Sequence, residues 1–107
     1  MKTTITEESG KVLVAISGEL SANECDDLKR DLAPLCERKG LNIEMDLSEL
    51  EYVCSRGLRV FLALAQAQEA DGGSVKVTAI TPVVREVFDL TGFTKIFIGP
   101  DTKVAVN

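Results

Sequence analysis

The sequence predicts a single α/β domain in which helices cover a mixed β-sheet. After an opening hairpin, segments of strand-like alternation alternate with segments of helical periodicity, in the order β-β-α-β-α-β-α with a candidate final strand. The chain has 107 residues, of which 45% are hydrophobic and 27% are charged. Because this is an ordinary size and composition for one globular domain, we expect residues 1–107 to form one domain.

The chain opens with a predicted β-hairpin. Residues 11–20 (KVLVAISGEL) alternate in polarity and are rich in Val and Ile, which favours a strand. We expect a short strand at 3–6 to pair with it across an EESG turn.

A helix is predicted to follow the hairpin. Ser21 stands three residues before Glu24, which is the spacing of a capping box at a helix start. Pro34 predicts a kink or an early end, and Gly40 closes the segment. The apolar face of this helix consists of Cys25, Leu28, Leu32 and Leu35.

A second strand–helix unit occupies the middle of the chain. Residues 41–47 (LNIEMDL) predict a strand, 48–51 (SELE) predict a turn, and the helix after Cys54 is expected to stop at 71–73 (DGG). The predicted apolar face of this helix consists of Leu58, Phe61, Leu62 and Ala65.

The last unit is shorter. Residues 74–80 (SVKVTAI) predict a strand, and Thr81 followed by Pro82 predicts the N-cap and first residue of a helix that ends at Gly92. A short apolar segment follows at 95–100, and we expect the tail beyond it to be loosely held.

Composition argues against several classes of function. The net charge is −5, with 17 acidic and 12 basic residues and no basic stripe, so we expect no direct nucleic-acid binding and no membrane association. No stretch reaches the ~20 apolar residues of a membrane span, and the first ten residues lack a signal-peptide core. These features favour a cytoplasmic protein.

The metal-ligand inventory is equally restricted. The chain has no histidine, and its three cysteines, Cys25, Cys36 and Cys54, form no CxxC pair. We therefore expect no metal site, no cofactor and no disulfide framework, and reduced thiols fit a cytoplasmic protein.

Ser55, in the stretch YVCSRGLRVFL, raises three alternatives. As a helix N-cap it would contribute ~1 kcal/mol relative to alanine. As a nucleophile it would need a base, yet the chain has no histidine, and VCSRG lacks the first glycine of a GxSxG elbow. As a switch it would place a phosphate at a helix N-terminus, which accepts anions. Catalysis by Cys54 is disfavoured because no companion base or resolving cysteine is evident, so we expect no catalytic residue and no enzyme.

Three stretches give the sequence a family resemblance: ISGELSANECDDLKRDL, NIEMDLSELEYVCSRGLRVFLALAQ and GGSVKVTAITPVVREVFDLTGFTKIF. Together, in this order and spacing over about residues 5–98, they resemble a bacterial STAS domain of the anti-sigma factor antagonist type. The resemblance implies a four- or five-stranded mixed sheet with helices mainly on one face. The chain departs from residues common in the family at Ser21, Cys54 and Arg56.

The resemblance also implies a function in the regulation of transcription. The unphosphorylated antagonist would bind an anti-sigma factor that is a serine kinase and so release a sigma factor. Phosphorylation of the serine that aligns with Ser55 would end the interaction, and a serine phosphatase would restore it. The implied partner surface consists of Gly18, Glu19, Leu20, Ser21, Cys54, Ser55, Arg56, Gly57, Leu58 and Arg59.

Two other functions stay open at this point. The chain could be a STAS scaffold without a phospho-switch, or a STAS module that binds a nucleotide or another small molecule. Phosphate transfer to Ser55 from a cognate kinase would distinguish the phospho-switched antagonist from the scaffold. A ligand-induced rise in melting temperature would indicate the module that binds a small molecule.

Overall fold

The computed structural model describes residues 1–105, and its elements follow the predicted order except that a short helix, which was not predicted, forms at 94–97 before the last strand. The strands are β1 (Lys2–Glu8), β2 (Lys11–Leu20), β3 (Asn42–Val53), β4 (Ser74–Ile80) and β5 (Lys103–Val104). The helices are α1 (Cys25–Glu37), α2 (Ser55–Glu69), α3 (Pro82–Thr91) and α4 (Thr94–Phe97), and a 3-10 turn, Ala22–Glu24, precedes α1.

The described strands form one mixed sheet in the order β1-β2-β3-β4-β5. β1 and β2 form the predicted antiparallel hairpin, and the other neighbouring pairs are parallel. Each parallel pair is joined through one or more helices, because parallel strands need a crossover rather than a tight turn. The predicted mixed sheet is thus confirmed, with five strands in the described part of the chain.

The helices pack on one face of this sheet. Alternate residues of the three central strands are buried, whereas the residues between them are partly or fully exposed. One face of the sheet therefore carries the core, as predicted. The buried side chains of this face include Val12, Val14, Ile16, Ile43, Met45, Leu47, Val75 and Val77.

β3 is longer than predicted, because residues 48–51 continue the strand instead of turning. Val53, at the end of β3, pairs with Leu20 on β2, and register shifts interrupt the ladder between the two strands. Beyond Leu47 the buried residues are Leu50 and Val53, so burial follows a spacing of three. The prediction was wrong because ladder irregularities break the alternation by which a strand is recognised.

α1 also extends further than expected. It passes Pro34 and ends at Glu37, so the predicted early end does not occur. Proline removes only one helical hydrogen bond, and Leu35, in the turn that follows, is buried against the core. Packing of the apolar face therefore retains the last turn.

The ends of α2 and α3 agree with the prediction. Gly72, with φ of +83°, follows α2, and Gly92, with φ of +81°, caps α3. Both torsions lie in the left-handed region that favours glycine. Within residues 1–105, every helix is too short or too polar to cross a bilayer.

The end of the described chain is held by the sheet. β5 pairs in parallel with the last two residues of β4, and the Ala105 N–H donates to the Ile80 carbonyl at 2.7 Å. The expectation of a loosely held tail is therefore wrong for residues 101–105, where β5 forms. For residues 106–107 that expectation lies outside the described residues.

Candidate partner-binding surface

The carboxyl ends of β2 and β3 bring the two predicted contact segments together. Leu20 and Val53 are register partners, and the Cys54 N–H donates to the Leu20 carbonyl at 3.0 Å. Segments 18–21 and 54–59 are therefore neighbours. They lie at the carboxyl edge of parallel strands, where open α/β sheets bind their ligands.

The ten predicted contact residues differ in exposure. The exposed ones are Glu19, Ser55, Arg56 and Arg59. The partly exposed ones are Gly18, Ser21 and Cys54. The buried ones are Leu20, Gly57 and Leu58, which lie beneath the surface and support it.

Ser55 is the first residue of α2, not its N-cap. The N-cap is Cys54, whose φ of −89° and ψ of 167° are extended. The interpretation of Ser55 as a cap is therefore wrong by one residue. The exposed Ser55 side chain instead lies at the first turn of α2, where backbone N–H groups lack intrahelical acceptors.

Cys54 places a sulfur atom where a cap oxygen usually lies. Within residues 1–105 this sulfur accepts no cap hydrogen bond of ordinary geometry. Burial raises the pKa of the Cys54 thiol, but the N–H of Gly57, the Cys25 thiol and the N–H of Arg56 lower it more, so the net pKa lies below the usual value. The thiolate is thus stabilised at the helix N-terminus.

Cys25 was not predicted to take part in this region. Its sulfur lies 3.4 Å from the Cys54 sulfur, although the two residues are 29 positions apart. The sequence showed Cys25 only as part of an apolar helix face, which is also correct, because its side chain is fully buried. The contact itself depends on how α1 and α2 begin at adjacent strand ends.

The Ser21–Glu24 pair does not form the predicted capping box. The Ser21 hydroxyl donates to Glu24 Oε1 at 2.8 Å, and neither side chain caps the helix backbone within the described residues. A 3-10 turn begins here instead, with the Glu24 N–H donating to the Ser21 carbonyl at 3.0 Å. The spacing was recognised correctly, but the two side chains bond to each other.

Two arginines follow Ser55 on the exposed side of α2. Arg56 Nη2 lies 3.6 Å from Asp26 Oδ1 on α1, and both side chains are largely exposed. Exposed pairs of this kind contribute little to stability, so Arg56 can exchange partners at low cost. Arg59 forms no ion pair within residues 1–105. Both cations can therefore interact with negative charge added at this helix end.

A buried hydrogen bond joins the last part of β3 to the start of α3. Thr81 occupies the predicted N-cap of α3, but its hydroxyl donates to the Leu50 carbonyl at 2.7 Å and, within the described residues, does not accept a cap hydrogen bond from a helix N–H. This bond satisfies a carbonyl of β3 close to the partner surface. Sequence spacing identified the position of Thr81 but not the acceptor.

Comparison with known proteins assigns the chain to a family. Residues 3–100 match the family described as "Mlab, STAS domain". The chain is 31% identical over 97 residues to BtrV of Bordetella bronchiseptica, which its name classes among the anti-sigma factor antagonists. That similarity covers 91% of this chain and 84% of BtrV.

Solved structures share the fold. An anti-sigma factor antagonist from Mycobacterium paratuberculosis superposes with a TM-score of 0.79 and 22% identity, covering 99% of this chain and 86% of that one. The antagonist SpoIIAA in its unphosphorylated form superposes with a TM-score of 0.76 and 17% identity, covering 99% of this chain and 90% of SpoIIAA. The phosphorylated form of Bacillus SpoIIAA superposes with a TM-score of 0.65 and 16% identity, covering 99% of this chain and 93% of that one. Over nearly its whole length, the chain belongs to the STAS-domain family and, within it, to the anti-sigma factor antagonists.

Proposed function

We propose that this chain binds an anti-sigma factor that is a serine kinase and thereby frees a sigma factor. In this proposal Ser55 is the switch: binding requires the free hydroxyl, and phosphorylation by the kinase ends it. A serine phosphatase acting on the modified chain restores binding.

The observation that carries the proposal is the position of Ser55. It is an exposed serine at the first position of α2, beside the segment 18–21 at the carboxyl edge of the sheet. A kinase that docks on this edge would find the hydroxyl within its own footprint. A standard footprint of about 800 Å² is larger than one helix end, so the neighbouring loop would take part.

The local electrostatics suit a reversible phosphate. Phosphorylation would add a charge of about −1.5 to −2 and three acceptor oxygens. The N-terminus of the fifteen-residue α2 stabilises such an anion, and Arg56 and Arg59 lie in the same two turns. Ser55 is exposed, so the core would be unaffected while the charge of the surface would reverse locally.

Two comparisons support the proposal. SpoIIAA, which has the same fold, has been solved in both unphosphorylated and phosphorylated forms. BtrV, at 31% identity, is classed by name with proteins that antagonise anti-sigma factors.

The test is intact-mass spectrometry of the chain incubated with ATP and the kinase-type anti-sigma factors of its own genome. Binding is measured before and after the reaction, and the modified peptide is mapped. We expect one phosphate on Ser55 and loss of the complex. Ser55→Ala should bind without being modified, and Ser55→Asp should bind more weakly.

Ser21→Ala is the matched control, because Ser21 is the other serine of the same surface. It should still be phosphorylated at Ser55. Stable binding without phosphate transfer would contradict the switch and favour the scaffold alternative. Absence of binding to every candidate, with a melting temperature raised by nucleotide alone, would favour the ligand-binding alternative.

A further inference from the structure

Cys25 and Cys54 form a contact pair at the edge of the proposed partner surface. Their sulfur atoms are 3.4 Å apart, which is non-bonded contact. A disulfide requires an S–S distance of about 2.05 Å, so the two atoms would have to approach by roughly 1.4 Å. Cys25 is the first residue of α1 and Cys54 the N-cap of α2, so the two sulfurs join the starts of two helices.

The two thiols have unequal environments. Cys25 is fully buried, its thiol lies 3.4 Å from the Ser21 carbonyl, and burial followed by the hydrogen bond to Cys54 raises its pKa. Cys54 is partly exposed, and its pKa lies below the usual value for the reasons given above. Cys54 is therefore partly accessible and enriched in thiolate, and Cys25 is a protonated neighbour in contact with it.

The third cysteine does not belong to this pair. Cys36 lies in the last turn of α1 and is exposed as a residue, but partial burial of its sulfur, with a smaller effect of Glu37, raises its pKa. It lacks both the helix N-terminus and the thiol neighbour that Cys54 has. Cys36 therefore serves as an internal reference against which the reactivity of the Cys54 thiol can be compared.

We propose that Cys54 is a peroxide-reactive cysteine, and that Cys25 is the resolving thiol that converts the oxidised Cys54 into an intramolecular disulfide. The inference goes beyond the proposed function and does not depend on it, because the chemistry involves only this chain and a hydroperoxide.

The reaction has two steps. The Cys54 thiolate attacks the terminal oxygen of hydrogen peroxide, the O–O bond breaks, and the departing hydroxide takes a proton, leaving Cys54 as a sulfenic acid and one water. The Cys25 sulfur then attacks the Cys54 sulfur, the S–O bond breaks, and the leaving hydroxide takes the Cys25 proton as a second water. Two thiols are oxidised by two electrons in total, and one peroxide is reduced.

The location explains what the bond would change. The disulfide would tie the first residue of α1 to the residue directly before Ser55, and it would remove the thiolate from the N-terminus of α2. The same helix end would then carry two modification sites, one on sulfur and one on oxygen.

The test uses the full chain carrying Cys36→Ser, a change at an exposed position that leaves the contact pair intact. The folded protein is exposed to hydrogen peroxide, quenched with iodoacetamide and measured as an intact mass without reduction. We expect the loss of two hydrogen atoms, no alkylation, and full reversal by dithiothreitol. Trypsin separates the cysteines into peptides 12–29, 31–38 and 40–56, so in the wild type 12–29 should be linked to 40–56.

Two variants separate the roles. Cys25→Ala should accumulate a sulfenic acid on Cys54 that dimedone traps, and Cys54→Ala should lose the rapid reaction with peroxide. Because Cys25 is buried, circular dichroism of Cys25→Ala checks its fold, and the Cys36→Ser measurement stands whatever that check shows.

Three results would overturn the proposal. These are an unchanged mass of folded Cys36→Ser after peroxide, irreversible addition of oxygen to Cys54 without a cross-link, and a wild-type cross-link through peptide 31–38. Because no partner is present, none of these results bears on whether Ser55 is phosphorylated.

Discussion

A β-carbon built on Gly57 would lie 2.7 Å from Leu20 Cδ2 and 3.2 Å from Val53 Cγ2. The first turn of α2 therefore packs directly on the last residues of β2 and β3. This close approach keeps Ser55 and the segment 18–21 at one edge of the sheet. Only glycine fits without displacing a buried side chain, since Leu20 is fully buried.

Gly57→Ala should destabilise the chain despite the better helix propensity of alanine. Overpacking of a core costs about 1–3 kcal/mol, and replacing a helical glycine returns at most about 1 kcal/mol. We expect a net loss of up to about 2 kcal/mol in the free energy of unfolding by urea. Gly99→Ala is the matched control, because its β-carbon would meet nothing within 4 Å. Equal stability of the two variants would contradict the packing argument.

Ser55→Ala should leave stability nearly unchanged. Ser55 is the first helical residue and Cys54 is the N-cap, so the hydroxyl does not fill the cap position. We expect a change within about 0.5 kcal/mol in urea unfolding, instead of the ~1 kcal/mol lost at a true cap. A larger loss would mean that the hydroxyl caps the helix in solution.

Thr81→Val, unlike Ser55→Ala, should clearly lower the stability of the chain. It replaces a buried hydroxyl that donates to the Leu50 carbonyl at 2.7 Å by a methyl group of similar size. An acceptor left unpaired in the interior costs about 1–3 kcal/mol, and we expect a loss in that range by urea unfolding. Thr81→Ser, which keeps the hydroxyl, should be much closer to wild type.

Gln68→Leu should be among the more damaging single changes in α2. The Gln68 side chain is fully buried, its Nε2 donates to the Leu35 carbonyl at 2.7 Å, and its Oε1 accepts from the Leu41 N–H at 2.9 Å. Leucine would leave the Leu41 N–H without its amide acceptor, whereas the Leu35 carbonyl would still accept from the Arg38 N–H at 3.2 Å. We therefore expect a loss of about 1–3 kcal/mol in thermal or urea unfolding. Gln66→Leu, on the exposed side of the same helix, should change stability little, and equal losses would refute the assignment.

Cys54 should react with iodoacetamide at a lower pH than an ordinary thiol. In the Cys36→Ser chain, the midpoint of the reaction rate plotted against pH should lie below that of an unperturbed thiol, because the native state lowers the Cys54 pKa. Cys25→Ala should move the midpoint upward, since it removes a thiol that stabilises the thiolate. A midpoint at or above the ordinary value would contradict the assignment.

The lowered pKa of Cys54 also makes the stability of the fold depend on pH. A thiol whose pKa is lower in the folded chain stabilises the fold above the pKa it has when unfolded, and this contribution is lost as the pH falls through the folded pKa. Cys25 has the opposite sign, because its raised pKa makes the folded state less stable once the unfolded thiol ionises.

Much of the fold could be predicted because it is encoded locally. Two-residue alternation and 3.6-residue periodicity located the three central strands and the three longer helices, and left-handed glycines marked where α2 and α3 end. The face of α2 was predicted less well: Leu62 is only partly buried, while Leu64 lies in the core. The polar Gln68 was missed, because hydropathy gives no signal for a buried amide whose hydrogen bonds come from another part of the chain.

The sequence by itself determined the order of the elements up to α3 and, through family resemblance, the one-sided core and Ser55 as the residue of interest. Only the tertiary structure decided that β3 continues through 48–51, that Cys54 rather than Ser55 is the N-cap, and that Cys25 touches Cys54. The physical reason is distance along the chain. Periodicity and capping residues act over a few positions, whereas strand register, cap torsions and the sulfur contact depend on how β2 and β3 end side by side.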